Sequence, residues 1–256
     1  MIPKVIHYCW FGRNPLPKDA IICINSWKKN LPDFEIKEWN EDNFDVNMIP
    51  YTAEAYAAKK YAFVSDFARF WILYKHGGLY FDTDVEVIKP LDDIIARGNF
   101  MAYECPSPEA GGMEKSIAPG LGLGVNPGLG LGVNPGLGLL KDLIDTYSNM
   151  HYMVDGKLVS TKTIVNFTSE AFHKAGIKKI DDDMDFSADC YLYAPEFFCP
   201  LDHHTGILTL TNKSRSIHHY TASWKTKGEK RKVAVQKFLG PKLTQLIVSI
   251  KHKIQQ

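Results

Sequence analysis

The sequence predicts an α/β domain, and two observations carry that expectation. One is the order helix, glycine stop, strand, acidic pair, strand that runs from Tyr61 to Pro90. The other is capacity. A chain of 256 residues, 45% of them hydrophobic, can bury one full core and leaves little for a second compact unit.

Taken in chain order, the apolar stretch Ile2 to Gly12 reads as a core strand. His7 within it reads as a satisfied core histidine. Val64 to His76 reads as a helix, because Val64, Phe67, Ala68 and Trp71 recur at i, i+3, i+4 and i+7. Asp66 and Arg69 lie three apart on that helix and share a face with Phe70 and Leu73, so the face is not fully solvated. Gly77-Gly78 is a helix stop, since glycine adopts the left-handed cap without steric cost. Leu79-Tyr80-Phe81 starts one strand, and Val85 to Ile88 another that Pro90 ends.

Asp82 and Asp84 stand between those strands. A strand turns alternate side chains to one face, so Asp-x-Asp would set both carboxylates on one side. Such a pair suits a hard divalent cation whose open positions are completed by phosphate oxygens. Ligands in open α/β sheets gather at the carboxyl ends of strands, where this pair falls. A plain turn between strands is the simpler alternative, because Asp favours turns.

The middle holds a repeat. Pro119 to Asn126 recurs as Pro127 to Asn134 and starts again at Pro135 to Leu139. A period of eight is far below that of repeat architectures, so it reads as a recent duplication or an artefact of sequencing. One copy is expected as native connection and the rest of 119–140 as a surface loop or lengthened hairpin. Ser160 to Phe172 reads as a helix. The run Asp181 to Asp185 reads as a solvated loop, with contact to acceptor hydroxyls as the sharper alternative. His203-His204 lack partners at metal spacing and read as loop residues.

Four elements in order carry a resemblance: Ile2 to Gly12; Ser65-Asp66-x-x-Arg69; Gly77-Gly78-x-Tyr80-x-Asp82-x-Asp84; and Ile217 to Trp224 with its His218 and Ser223-Trp224. Together they resemble the DXD sugar-transferase family. That family takes in bacterial capsular polysaccharide transferases, Och1-like mannosyltransferases and, distantly, the clostridial glucosylating toxin domain. The likeness covers roughly residues 1–105 and 190–224, with Tyr191 to Pro200 similar to the family's aromatic-Pro strand. The middle departs from it: Ile164 to Phe167 stand where the family usually carries a Gly-Pro pair.

The resemblance implies a GT-A-type fold, a mixed central sheet flanked by helices, over residues 1–224. It implies a UDP- or GDP-hexose donor, Mn2+ or Mg2+, and retention of configuration by front-face attack. The product would be a hexose added to a glycan or lipid-linked glycan, as in capsular or surface polysaccharide synthesis. Position by position, Cys9 and Trp10 would frame the nucleotide base. Asp66 and Arg69 would hold the donor sugar and ribose, and Tyr80 would help line the nucleoside. Asp82 would contact ribose and metal-bound water, Asp84 would ligate the metal, and His218 would approach it. Ser223 and Trp224 would close over the diphosphate.

Composition limits the partners. A formal net charge of +1 carries no nucleic-acid signature. Five cysteines without metal spacing fit reduced thiols in a cytoplasmic chain. No leader pattern and no long apolar run is read, so neither a signal peptide nor a membrane span is expected. From Lys225 to Gln256 nine Lys or Arg face the single acid Glu229, a surplus of eight against a chain total of +1. Leu239, Leu243, Leu246, Ile247, Ile250 and Ile254 recur there at helical spacing. This basic amphipathic tail would suit the anionic inner face of the cytoplasmic membrane, or packing on the domain itself.

Two rivals stand beside the transferase. A phosphotransferase with an Asp-x-Asp nucleophile wants Thr or Val two residues after the second Asp, where this chain has Glu86, so it is rejected. A catalytically inactive glycan- or nucleotide-sugar-binding protein is the rival from another class.

Overall fold

The computed structural model describes residues 2–104, 116–125, 135–159, 162–202 and 206–221. Strand β1 (Val5–Cys9) alternates between two core layers, with Ile6 and Tyr8 in one and Cys9 in the other. Helix α1 (Lys18–Asn30) crosses to β2 (Glu35–Trp39), which pairs parallel with β1 along its length. Helices α2 (Pro50–Ala57) and α3 (Tyr61–His76) carry the chain back past β1 to β3 (Gly78–Tyr80), parallel to β1 on its other side. The order of connection therefore reverses between β1 and β3, which opens a crevice beyond their carboxyl ends.

The helices cover both faces. Ile24 and Trp27 of α1 pack in the layer of Ile6, whereas Val64, Phe67 and Phe70 of α3 pack in the layer of Cys9. Helix α3 stops as its sequence predicts: Gly77 and Gly78 both take positive φ, and the Gly77 N–H bonds the Leu73 carbonyl at 2.9 Å. His7 is a satisfied core histidine. Its Nδ1 accepts from the Trp39 indole at 3.0 Å, so Nε2–H donates to the Gly77 carbonyl at 2.9 Å, and burial lowers its pKa to about 4.

Beyond β3 come β4 (Val85–Val87), α4 (Asp92–Ile95), β5 (Phe100–Glu104), β6 (Ser116–Ile117) and β7 (Leu123–Val125). Then follow α5 (Pro135–Ser148), the hairpin of β8 (Met153–Val154) and β9 (Lys157–Leu158), and α6 (Ile164–Lys174). The last elements are β10 (Lys178–Lys179), β11 (Met184–Ser187), β12 (Cys190–Tyr193), α7 (Pro195–Phe198) and β13 (Ser216–His218). The main sheet runs β10-β11-β12-β5-β7-β3-β1-β2. Along it β7 and β11 run against the rest, so the sheet is mixed and flanked by helices, as the fold class requires. Strand β4 leaves that sheet and forms an antiparallel ribbon with β13.

Two expectations change. The stretch 119–140, read as a loop, is structured where it is described. Leu123–Val125 is β7, seated between β3 and β5, and Pro135 opens α5, whose Leu139 and Leu140 are buried. Proline is at home in a first helical turn, and Leu140, Leu143, Ile144 and Tyr147 then supply an apolar face at helical spacing. The copy at 127–134 lies outside the described residues. The stretch Tyr191 to Pro200 is half strand and half helix, because Pro195 starts α7. The helix read over 160–172 is α6, with the Thr163 backbone N–H donating to Asn166 Oδ1 at 2.9 Å.

Candidate active site

The acidic pair sits at the carboxyl end of β3, beside the reversal point, but not on an extended strand. The Val85 N–H donates to the Asp82 carbonyl at 3.0 Å, which closes a four-residue turn over 82–85. This corrects the expectation that one strand face carries both carboxylates. The turn gives Asp82 and Asp84 separate sets of partners.

Asp82 belongs to a group built on α3. Residues 66 and 69 share a helix face, so Arg69 Nη2 bonds Asp66 Oδ1 at 3.0 Å while Nη1 reaches Asp82 Oδ2 at 3.3 Å. Arg69 Nε donates to the Ser65 carbonyl at 3.1 Å, and the guanidinium lies 4.8 Å from the Tyr80 ring centroid. Burial works against the charge of Arg69, but Asp82 and then Asp66 hold it protonated. Burial raises the Asp66 pKa to about 7, with Arg69 pulling it down and Asp82 pushing it up. Tyr80 completes the group by donating to Asp82 Oδ1 at 3.3 Å. Gly120 closes over it, its carbonyl accepting from the Asp82 N–H at 3.0 Å.

Asp84 faces the other way, to β13. Its Oδ1 accepts from His218 Nε2 at 3.0 Å, and its Oδ2 from the Thr221 backbone N–H at 2.9 Å and hydroxyl at 3.1 Å. The His219 N–H bonds the Asp84 carbonyl at 2.9 Å. Burial would raise the carboxyl pKa, yet His218 and Thr221 lower it to about 2. His218 is half-buried, which works against its charge, but Asp84 raises its pKa above the ordinary value. Its ring lies 4.0 Å from that of Tyr220, whose hydroxyl meets Cys199 Sγ at 2.9 Å.

The other site residues divide. The Cys9 side chain is buried, its thiol pKa raised to about 12 by burial, and Tyr80 is 1% exposed. Both form a layer beneath Arg69 rather than a lining, which corrects their reading as nucleoside contacts. The reason is strand alternation: Cys9 and Tyr80 fall on the α3 side of their strands. Trp10 is half-buried at the carboxyl end of β1, its indole N–H fixed by the Asn14 carbonyl at 2.7 Å. Ser223, Trp224 and the tail 225–256 lie outside the described residues, as do His203 and His204. Asp82, Asp84 and His218 do not converge as three ligands: among the described residues no group of three or more His, Cys, Asp or Glu is gathered as for a metal ion. Asp84 is engaged with His218 and Thr221, and Asp82 with Arg69 and Tyr80.

Three participants were missed. Thr221 lies inside the Ile217–Trp224 motif, but nothing in its type announced two bonds to Asp84. Gly120 is hidden by the repeat. Glu104 ends β5 with its carboxyl pKa raised by burial, His218 pulling the other way, and no local pattern marked it.

Residues 17–101 match the family described as a glycosyltransferase sugar-binding region containing the DXD motif. The segment holding Asp66, Arg69, Asp82 and Asp84 lies within that match, and the match is to the kind of family that the sequence resembles. Inositol phosphoceramide mannosyltransferase 1 of Schizosaccharomyces pombe is 30% identical over 111 residues, 39% of this chain and 33% of that protein. An uncharacterized glycosyltransferase of Acanthamoeba polyphaga mimivirus is 36% identical over 111 residues, 41% of this chain and 44% of that one. The chain thus spans well under two thirds of the length of these relatives. Among solved structures, the one titled PaToxG Glycosyltransferase covers 68% of this chain and 69% of its own, at 18% identity and a TM-score of 0.46.

Proposed function

We propose that the chain is a metal-dependent retaining glycosyltransferase that moves a hexose from a nucleotide-diphosphate sugar to a glycan or lipid-linked glycan. The observation that carries this reading is the Asp82–Asp84 turn at the reversal point, flanked by the Asp66–Arg69 group of the same matched region and, from β13, by His218. Asp82 and Asp84 offer hard carboxylate oxygens, which suit Mn2+ or Mg2+. When bound, such a metal supplies positive charge to diphosphate oxygens.

The chain's own residues do the rest. Arg69, locked between Asp66 and Asp82, holds both carboxylates in place against the sugar and ribose. Asp66, with its pKa near neutrality, can donate or accept a hydrogen bond to a sugar hydroxyl. Trp10 offers a half-buried ring beside the crevice for the base, whereas Ser223 and Trp224, which the resemblance assigns to the diphosphate, lie outside the described residues. His218, whose charged form Asp84 favours against burial, stabilises the negative charge that develops on the leaving diphosphate. The product enters a capsular or surface polysaccharide, and the basic tail 225–256, outside the described residues, suits an anionic membrane surface.

A panel of UDP- and GDP-sugars, scanned for a rise in melting temperature with and without Mn2+, tests this. The reading requires at least one donor to stabilise the protein only with the metal present. A panel without any such shift counts against it. The rival, an inactive nucleotide-sugar-binding protein, gives the shift without turnover.

A further inference from the structure

Strand β7 runs against both β3 and β5, so β3 and β5 point the same way and end at one edge of the sheet. Gly124 of β7 faces Leu79 on one side and Phe100 on the other. Glu104 lies four residues beyond Phe100, and Asp82 three beyond Leu79, so Glu104 ends β5 level with the Asp82–Asp84 turn. Two sheet spacings separate their strands, about 10 Å. Between them the chain enters β7 through Gly120-Leu121-Gly122, and Leu121 is 1% exposed, so that segment brings no polar side chain between the turn and Glu104.

The side to which Glu104 projects follows from strand alternation. Phe100 and Ala102 pack in the layer of Val85 and Val87, whereas Met101 and Tyr103 pack in the other. Glu104 continues the first set, toward the β4–β13 ribbon that carries His218. The electrostatics agree: burial raises the Glu104 pKa, and His218 pulls it down. Glu104 is half-buried, and its side chain makes no hydrogen bond or ion pair among the described residues. Neither of its oxygens is among the sealed, unpartnered atoms of those residues, so the carboxylate stays open to a ligand. Asp66, Asp82 and Asp84 differ, each being held by Arg69, His218 or Thr221. Withdrawing a carboxylate from water without a partner costs free energy, which a hydroxyl donating to it recovers.

We propose that Glu104 accepts a hydrogen bond from a hydroxyl of the acceptor sugar and so orients the acceptor for transfer. This rests on the transferase reading and adds the residue that meets the second substrate. Along the sheet edge Trp10 follows β1 on one side of the turn, and Glu104 ends β5 on the other. With the base at Trp10, the diphosphate at the turn and the donor sugar at Asp66 and Arg69, the place left for the second reactant is the β5 side. A carboxylate suits that reactant: it accepts from a neutral hydroxyl and repels the diphosphate, so the two substrates do not compete for it. An acceptor hydroxyl held in this way outcompetes water for the donor sugar, because its orientation is fixed before reaction.

The test uses the full chain with Mn2+, a panel of UDP- and GDP-sugars as donors, and the methyl glycosides of mannose, glucose and galactose as acceptors. Mass spectrometry reads transfer as disaccharide and hydrolysis as free sugar. Glu104→Ala should lower the ratio of transfer to hydrolysis about tenfold or more and raise the acceptor KM. The donor should still raise its melting temperature as it does for wild type. Glu104→Gln, which keeps a carbonyl oxygen to accept the bond, should recover part of the ratio. A residue that only supports the fold would lower transfer and hydrolysis together and leave their ratio alone. Three results overturn the proposal: an unchanged ratio in Glu104→Ala; loss of the donor-induced shift in that variant, which makes Glu104 a donor contact; or a wild type that cleaves donor but neither binds nor glycosylates any of the glycosides. A wild type that neither binds nor cleaves any donor removes the transferase reading itself, and this inference with it.

Discussion

Replacing Asp84 with Asn removes the charge that ties β13 to the acidic turn. In the folded chain its pKa is about 2, and its side chain is 17% exposed. Against an ordinary value of about 3.9, that is roughly two units, or about 2–3 kcal/mol of stability near neutrality. The folded pKa is depressed, so this contribution is present above about pH 4 and is lost as pH falls toward 2. His218 adds a limb of opposite sign. Its pKa is raised, so its share is full below about 6.5 and is lost as pH rises through the raised value. The Thr221 bonds do not titrate with His218, so part of the difference survives at higher pH. Urea denaturation of wild type and Asp84→Asn across this range should therefore give a difference in stability that is largest in weak acid and shrinks on both sides. A difference that is flat with pH, or below about 0.5 kcal/mol throughout, refutes the pairing.

Gly120→Ala places a Cβ 1.8 Å from Asp82 Oδ2 and 3.1 Å from Arg69 Nη1, so Asp82 must turn out of the Arg69 contact. The expected cost is about 1–3 kcal/mol in denaturation, with weaker donor binding; wild-type values in both would show that Asp82 moves freely. Trp10→Ala should weaken UDP or GDP binding by about 1–3 kcal/mol in calorimetry if the ring stacks on the base, and unchanged affinity would make it a packing residue. Truncation after Trp224 should end sedimentation with anionic vesicles while leaving turnover on a soluble acceptor. A fall in melting temperature with vesicle binding intact would instead place the tail on the domain.

What the sequence made legible was local. The apolar period of α3, its double-glycine stop and the Asp82–Asp84 pair all sit within one short segment, and each has a physical signature at that scale. That His218 would approach the site of Asp84 was implied by the order of motifs, not by spacing, and their direct bond was not foreseen. What stayed hidden was decided at long range. That Cys9 and Tyr80 lie beneath Arg69 depends on which face of β1 and β3 the helix α3 covers. That Pro135 to Leu139 opens a helix depends on the buried positions of α5 beyond the repeat, since Gly-Leu alternation alone is compatible with a strand. That Glu104 stands level with the turn depends on β7 seating itself between β3 and β5. The acidic run Asp181 to Asp185 gave no hint that Asp183 would hold Lys213 or that Asp185 would accept from Tyr103 at 2.9 Å.

The central claim is that a divalent metal at the Asp82–Asp84 turn drives cleavage of a nucleotide sugar. Its most direct test is release of UDP or GDP from the donor panel by wild type and Asp84→Asn, each with Mn2+ and after chelation. The account predicts nucleotide release by wild type that chelation abolishes and Mn2+ restores, and none above background in a folded Asp84→Asn. Release that persists under chelation, or an Asp84→Asn variant as active as wild type at saturating Mn2+, would contradict it.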